Sequence, residues 1–381
     1  MLKSKSQGID KCYGCGVCAL ICPKRIININ LNENGFYTPS LTNANECNDC
    51  GLCFSVCSCN DDKLPVINTD EPDCYAAWHN DGNVRKDCSS GGIGFALGEH
   101  LIKQGYKAIG VRYNAELSRA EHFLANTVDE FIPSIGSKYI PSYTLTGFSQ
   151  INRKDKFFIT GTPCQIDSLR RYIRKMQIEH NFILMDFFCH GVPSMLMWHR
   201  YLQLAVKKVG RVSAVAWRDK TTGWHNSFIM RINGKNGLYN SAMNNGDLFY
   251  RFFLGHMCLA NPCYYHCKYK MTSSAADIRI GDLWGEEYKD NQEGISALLV
   301  FTEGGKRIVN ELSTCTIMKL SPNIVLEGQM KAGAKKSISY FYVRRALKTD
   351  KDLSKIAKFA RVIDITFNIH KKIYSRLKKG I

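Results

Sequence analysis

Several things are missing from this sequence, and each absence narrows it. None of its 381 residues falls in an apolar run of about eighteen, which excludes a membrane-crossing helix. Met1 to Asp10 carry no apolar stretch of the signal-peptide kind, so export is not expected. Acidic residues are scarce: 34 Asp and Glu stand against 51 Lys and Arg, a net charge of +17. The excess is local. Residues 1–70 hold six basic and seven acidic side chains, whereas residues 343–381 hold twelve basic and three acidic ones, a balance of +9. One basic feature in a tenth of the chain argues against a nucleic-acid-binding surface, and no nucleic-acid partner is expected. The 17 cysteines do not follow a secreted disulfide pattern, and reduced thiols without an export signal imply a cytoplasmic protein. Hydrophobic content of 45% with 22% charged residues suits a chain with a real core, and this length implies two or three domains.

The cysteines that are present are ordered. Cys12, Cys15, Cys18 and Cys22, followed by Pro23, read C-x2-C-x2-C-x3-C-P, the ligand run of a two-cluster bacterial ferredoxin. Cys47, Cys50, Cys53 and Cys57 repeat the spacing, with Ser58 in the proline's place. Three cysteines two residues apart wrap a loop around three corners of a cubane, and the small Gly14 and Gly16 let backbone N–H groups approach the sulfides. The fourth cysteine of each run serves the other cluster. One [4Fe–4S] cluster is therefore expected on Cys12, Cys15, Cys18 and Cys57, and a second on Cys47, Cys50, Cys53 and Cys22. Zinc, which needs four ligands per site, gains nothing from this spacing.

Between the two runs, Asn32-Glu33-Asn34-Gly35 separates two apolar stretches as a hairpin turn would. Linker-like segments follow at Asn60–Pro65 and Thr69–Pro72. Cys74–His79 reads as a strand. Ser89-Ser90-Gly91-Gly92 then leads into a helical pattern over Ile93–Gly105, a turn whose free N–H groups and helix dipole suit an anion, although most such turns are only caps. Strands at Asp155–Thr160 and Phe182–Phe188 each run into a loop with a cysteine, Cys164 and Cys189, and then a helix. Strand, loop and helix repeated imply a parallel α/β unit with its chemistry at the carboxyl ends of the strands. Cys263 and Cys267 complete a further set of four.

Taken in order, Ser89-Ser90-Gly91-Gly92, Gly136-Ser137-Lys138-Tyr139, Gly161-Thr162-Pro163-Cys164-Gln165-Ile166, Asp186-x-x-Cys189-His190-Gly191-Val192-Pro193-Ser194, Arg218-Asp219-Lys220 with Gly223-Trp224, and Asp277-x-x-x-Gly281-Asp282-x-Trp284-Gly285 resemble the coenzyme F420 hydrogenase/dehydrogenase beta-subunit family. Its relatives include 7-hydroxymethyl chlorophyll a reductase and bacterial polysaccharide-cluster proteins with an N-terminal two-cluster ferredoxin. The resemblance covers about residues 1–305. It implies an α+β ferredoxin-like two-cluster module followed by an α/β flavoprotein domain that binds FAD beside its own [4Fe–4S] cluster. The expected division is 1–68 for the ferredoxin module, 73–150 and 151–325 for the two parts of the flavoprotein domain, and 326–381 for a basic helical tail.

Carried over by position, Ser89, Ser90, Gly91, Gly92 and Thr162 are the expected flavin-binding residues. Lys138 would supply an exposed cation to flavin or substrate, and His190 a proton. Cys164, Cys189, Cys263 and Cys267 would hold the third cluster. The family reads C-x2-C in the last pair, whereas this chain has three residues between Cys263 and Cys267. Either the loop shifts to bring Cys263 in, or Tyr264 occupies that place.

The implied function is a flavin-dependent iron–sulfur oxidoreductase with an electron-carrying protein partner, an organic substrate and an oligomeric state. The alternative is an electron-transfer subunit without its own substrate site. Bacterial relatives add a reductive step in polysaccharide biosynthesis as a candidate role. From Leu353, Ile356, Phe359, Ile363, Phe367, Tyr374 and Leu377 recur at helical steps, with Lys355, Lys358, Lys371, Lys372, Arg376, Lys378 and Lys379 around or beyond them. That helix either packs on its own domain or touches an anionic membrane at its inner face.

Overall fold

The computed structural model describes residues 11–67, 71–265 and 267–377. Its largest element is a nine-stranded mixed sheet. The strands run Cys315–Lys319, Asp73–His79, Ser296–Val300, Ile278–Asp282, Phe182–Phe187, Phe157–Thr160, Lys107–Asn114, Arg119–Ala125 and Ser142–Tyr143 across it. The pairs joining Lys107–Asn114, Phe157–Thr160, Phe182–Phe187 and Ile278–Asp282 are parallel, so the expected α/β unit occupies the sheet's centre. Antiparallel strands widen it on both sides. The parallel centre follows from composition: Phe157, Phe158 and Ile159 are fully buried on both faces, as strands covered by helices must be. One cover is the helix Pro163–Lys175, whose Ile166, Leu169 and Ile173 recur at three- and four-residue steps and turn to the sheet. The sheet draws strands from both 73–150 and 151–325, so these stretches share one architecture.

A second, three-stranded sheet (Val212–Ala216, Ile229–Gly234, Gly237–Ala242) packs with the helices Met195–Val209 and Leu248–Leu254 around Trp198, Trp217 and Phe249. The helix Leu353–Leu377 reaches this core with Leu353, Ile356, Ala357 and Ala360.

The N-terminal segment is a small antiparallel hairpin, Ile27–Leu31 with Tyr37–Leu41, flanked by the short helices Val17–Ile21 and Leu52–Ser55. Asn32 closes its turn: its side-chain oxygen accepts from the N–H groups of Asn34 and Phe36. This segment does not stand apart. Val17 and Val56 are fully buried in one core with Phe157 and Leu169 of the large sheet, a burial that contributes about 2 kcal/mol for each side chain. The hairpin tip docks as well, since the Ser194 hydroxyl donates to Asn34 O (2.6 Å) and Arg344 donates to the Asn34 side chain (3.1 Å).

Candidate functional site

The two N-terminal cysteine runs pack side by side. Cys12, Cys15 and Cys18 each feel the charge of Cys57, while Cys53 feels Cys50, Cys22 and Cys47. A small cavity of about 30 Å³ is lined by Cys22, Cys47, Cys50 and Cys53 together. The loop geometry depends on glycine. Gly14 and Gly16 have φ of 69° and 74°, and the Gly14 N–H donates to Cys12 Sγ at 3.3 Å. A β-carbon on Gly16 would lie 2.3 Å from Thr144 Oγ1, so this loop can approach the sheet domain only as glycine. Burial pushes the thiols up, Cys12 to about 11 and Cys15 to about 12.

The other four cysteines come from distant parts of the chain and meet. Cys164 lies in the first turn of Pro163–Lys175, Cys189 follows the strand Phe182–Phe187, and Cys263 ends a short turn before Cys267. Cys164 feels Cys189, Cys263 and Cys267, and Cys263 feels Cys189 and Cys267. Burial raises Cys189 to about 11 and Cys263 to about 12. The Val192 N–H donates to Cys263 Sγ at 3.4 Å. Tyr264 is turned away: 1% exposed, it donates its hydroxyl to His256 O and accepts from the Leu259 N–H. The loop shift brings Cys263, not Tyr264, to the set. No three His, Cys, Asp or Glu among the described residues converge on a single metal ion. A four-iron cubane is wider than an ion and takes its thiolates at separate corners, so this absence does not bear on the larger object.

Ser58 ties the two regions. Its N–H donates to Ser168 Oγ (3.2 Å) and its hydroxyl to Cys164 O (3.4 Å), which sets Cys57 beside the Cys164 segment. A proline here would remove that N–H.

Beyond Cys164 and Cys189 opens a cavity of about 430 Å³, at the carboxyl ends of the central parallel strands. Ser89, Ser90 and Gly92 line one wall, where the helix Ile93–Lys103 begins at Gly92 (φ 90°) without a side-chain cap. The turn is braced from behind. Ser90 donates to Ile295 O, the Gly91 N–H donates to Ser296 Oγ, and the Lys220 ammonium donates to the carbonyls of Arg85, Ser90 and Glu293. Ser89 accepts from the Ser137 N–H, so the Gly136–Tyr139 loop joins the same wall.

Lys138 is half-buried rather than exposed. Its ammonium donates to Pro133 O (2.9 Å) and Ile135 O (2.7 Å), and burial lowers it to about 7. Thr162 lines the cavity with its hydroxyl 3.2 Å from Cys164 Sγ and its N–H on the Gln165 side chain. His190 also lines it. Burial and then the nearby His256 and Lys270 lower it to about 4, so its ring is neutral, and its buried Nε2 has no partner.

The sequence motifs hid several contributors. Arg218 is 8% exposed and pairs with Asp282 at 3.1 Å, beside an indole N–H from Trp224 to the same carboxylate at 2.8 Å. Burial opposes its charge, but Tyr139 and Asp282 outweigh this and hold Arg218 above its ordinary value. Trp224 stacks on Trp284 (4.8 Å between centroids), and Arg218 lies over Phe228 (4.3 Å). Lys270 donates to Cys189 O at 2.6 Å. By contrast, the motif carboxylates Asp186 and Asp277 are taken up by Arg279 and Arg170 inside the fold. Only the recurrence of Arg218 and Asp282 within ordered motifs could have flagged them.

The fold and the cavity define a mixed α/β protein with its site at the ends of its parallel strands. The chain belongs to the coenzyme F420 hydrogenase/dehydrogenase beta-subunit family: the model of that subunit's N-terminal region matches residues 74–147, and the model of its C-terminal region matches residues 154–324. Membership gives it an oxidoreductase-class, electron-transferring role. Among solved structures it is similar to a chain of the F420-reducing [NiFe] hydrogenase complex from Methanosarcina barkeri, determined as a xenon derivative. The identity is 17%, the match covers 77% of this chain and 92% of that one, and the TM-score is 0.47. No curated protein matches. No helix among the described residues is long and apolar enough to cross a membrane.

Proposed function

We propose that this chain is an iron–sulfur flavoprotein oxidoreductase. Cys12, Cys15, Cys18 and Cys57 hold one [4Fe–4S] cluster, Cys22, Cys47, Cys50 and Cys53 a second, and Cys164, Cys189, Cys263 and Cys267 a third, with FAD in the cavity. The observation that carries this reading is continuity. Cys57 adjoins Ser58, which bonds to Cys164, and Cys189 and Thr162 face the same cavity as the Ser89–Gly92 turn. Bound there, the clusters carry single electrons and the flavin exchanges two with an organic substrate.

The chain's own residues do the rest. The uncapped start of Ile93–Lys103 offers N–H groups to phosphate oxygens. Arg218 and Asp282 fix the aromatic wall of Phe228 and Trp284, with Trp224 stacked behind it. His190 lines the cavity, where a neutral imidazole takes or returns a proton. Lys138, held on carbonyls, fastens the Gly136–Tyr139 loop. A redox protein delivers or removes the electrons, and a step in polysaccharide biosynthesis is one setting for the substrate.

Anaerobic purification with iron, sulfide and flavin counts tests the proposal. About twelve irons and one FAD per chain are expected from three cubanes. About eight irons with flavin still bound would remove the third cluster. Full loading without turnover of any small substrate would make the chain an electron-transfer subunit.

A contact with an anionic membrane is supported by the tail. Phe359, Val362, Ile365 and Phe367 are about half-exposed on the helix, and Phe341 beside it is 72% exposed. The expected stripe is therefore split, with Ile356 inside and Phe359 and Phe367 outside. The side chains of Lys371, Lys372, Tyr374, Arg376 and Leu377, together with Lys378 and Lys379, lie outside the described residues, as do Met1 to Asp10. Co-sedimentation with anionic and neutral vesicles checks this contact. Salt-sensitive binding to anionic vesicles, abolished in a chain ending at Asp352, is expected; binding that survives the truncation contradicts it.

A further inference from the structure

In the motif Arg218-Asp219-Lys220 each residue has a different task. Arg218 serves the aromatic side of the cavity through Tyr139 (3.3 Å) and Asp282 (3.1 Å). Asp219 shapes the one-turn helix Lys220–Thr222. Its carboxylate accepts from the Thr221 N–H (2.9 Å) and from Arg231 (2.9 Å). Lys220 reaches the Ser89–Gly92 turn. Its ammonium donates to Arg85 O (2.7 Å), Ser90 O (2.6 Å) and Glu293 O (2.7 Å), carbonyls from three separate stretches. Three carbonyl oxygens drawn to one point repel one another, and an ammonium, with three donors and no acceptor, holds them together. The other bonds of the turn run to the sheet. The Gly91 N–H donates to Ser296 Oγ (3.0 Å), the His79 N–H to Gly91 O (2.8 Å), and the Ser90 hydroxyl to Ile295 O (2.8 Å). Lys220 is therefore the tie between this turn and the segment that carries Arg218, and three consecutive residues join the two sides of the cavity.

We propose that Lys220 is a positioning residue of the flavin site, a charged latch that holds the Ser89–Gly92 turn in the shape that receives the flavin's phosphates and loosens when the ammonium loses its proton. This inference rests on reading the cavity as a flavin site. A neutral amine has two N–H groups, so deprotonation gives up one of the three carbonyls together with the charge. Burial lowers Lys220 to about 8; Cys88 and Asp282 work against this, and Arg218 and Arg85 add to it. The groups around it keep their own states. Burial raises the Cys88 thiol to about 11, Arg218 pairs with Asp282, and Arg85 pairs with the Glu293 carboxylate at 2.6 Å. Lys138 also lines the cavity and, lowered by burial to about 7, titrates below Lys220.

The test measures FAD affinity of the full chain, stripped of flavin under anaerobic conditions, by quenching of flavin fluorescence from mildly acidic to alkaline pH. Wild type and Lys220→Met are compared. Wild-type affinity is expected to hold up to a pH of about 8 and to fall as the pH rises through it, because the protonated form is the one that holds the turn. Lys220→Met is expected to bind FAD about tenfold more weakly than wild type below that pH, and to show no fall there. Wild-type affinity in Lys220→Met, or a fall near pH 8 that persists in this variant, overturns the inference. If the variant folds poorly, the wild-type profile decides alone: affinity that stays level through pH 8 overturns the inference and leaves the flavin reading standing. A wild-type chain that binds no FAD at any pH overturns both.

Discussion

The N-terminal cysteine runs and the Cys164 set arrive at similar arrangements by opposite routes. The first eight cysteines fall within 46 residues and are placed by local turns, Gly14 and Gly16 in the left-handed region and a two-stranded hairpin between the runs. Cys164, Cys189, Cys263 and Cys267 span 104 residues and meet only because two parallel strands end side by side and a loop near residue 264 folds back. The first arrangement depends on backbone conformation, the second on the integrity of the sheet. Damage to one should therefore leave the other.

Asp186→Asn should separate them most. Asp186 and Arg279 are both fully buried, and the carboxylate also accepts from Ser274. Removing the charge strands a buried guanidinium at a cost of about 3–5 kcal/mol. Since Asp186 lies three residues before Cys189, iron of the third set should be lost first, along with a large drop in the thermal midpoint. Retention of all iron at wild-type stability would show that the third set does not depend on this strand.

Gly16→Ala should act from the other side and cost less, about 1–3 kcal/mol, because alanine is strained at φ 74° and its methyl meets Thr144 Oγ1. Iron of the first set should fall while flavin and the Cys164 set persist. Equal losses from both sets would mean that the two regions stand or fall together, as their shared core around Val17, Phe157 and Leu169 would permit.

How much could be read in the sequence follows the same division. The crossed grouping expected for the first eight cysteines came from spacing alone. The strands around Cys164 and Cys189 were also legible, since Phe157–Thr160 and Phe182–Phe187 are short apolar runs ending in loops. The antiparallel flanks of the sheet were not, because long-range pairing leaves no local mark on Cys315–Lys319 or Ser296–Val300. Lys138 was expected as an exposed cation, yet its ammonium is drawn onto two carbonyls of a turn that no periodicity reveals. The Arg218–Asp282 pair, 64 residues apart, needed three-dimensional coordinates to be seen. Tyr264 shows the reverse: one residue of register decided between it and Cys263, and only burial of the ring settled which faces the set.

Iron content of Cys164→Ser beside wild type, after anaerobic reconstitution, tests the separation of the two regions most directly. The account predicts a loss of about four irons, with the signals of the two N-terminal clusters unchanged. An unchanged iron count, or collapse of all the clusters together, would contradict it.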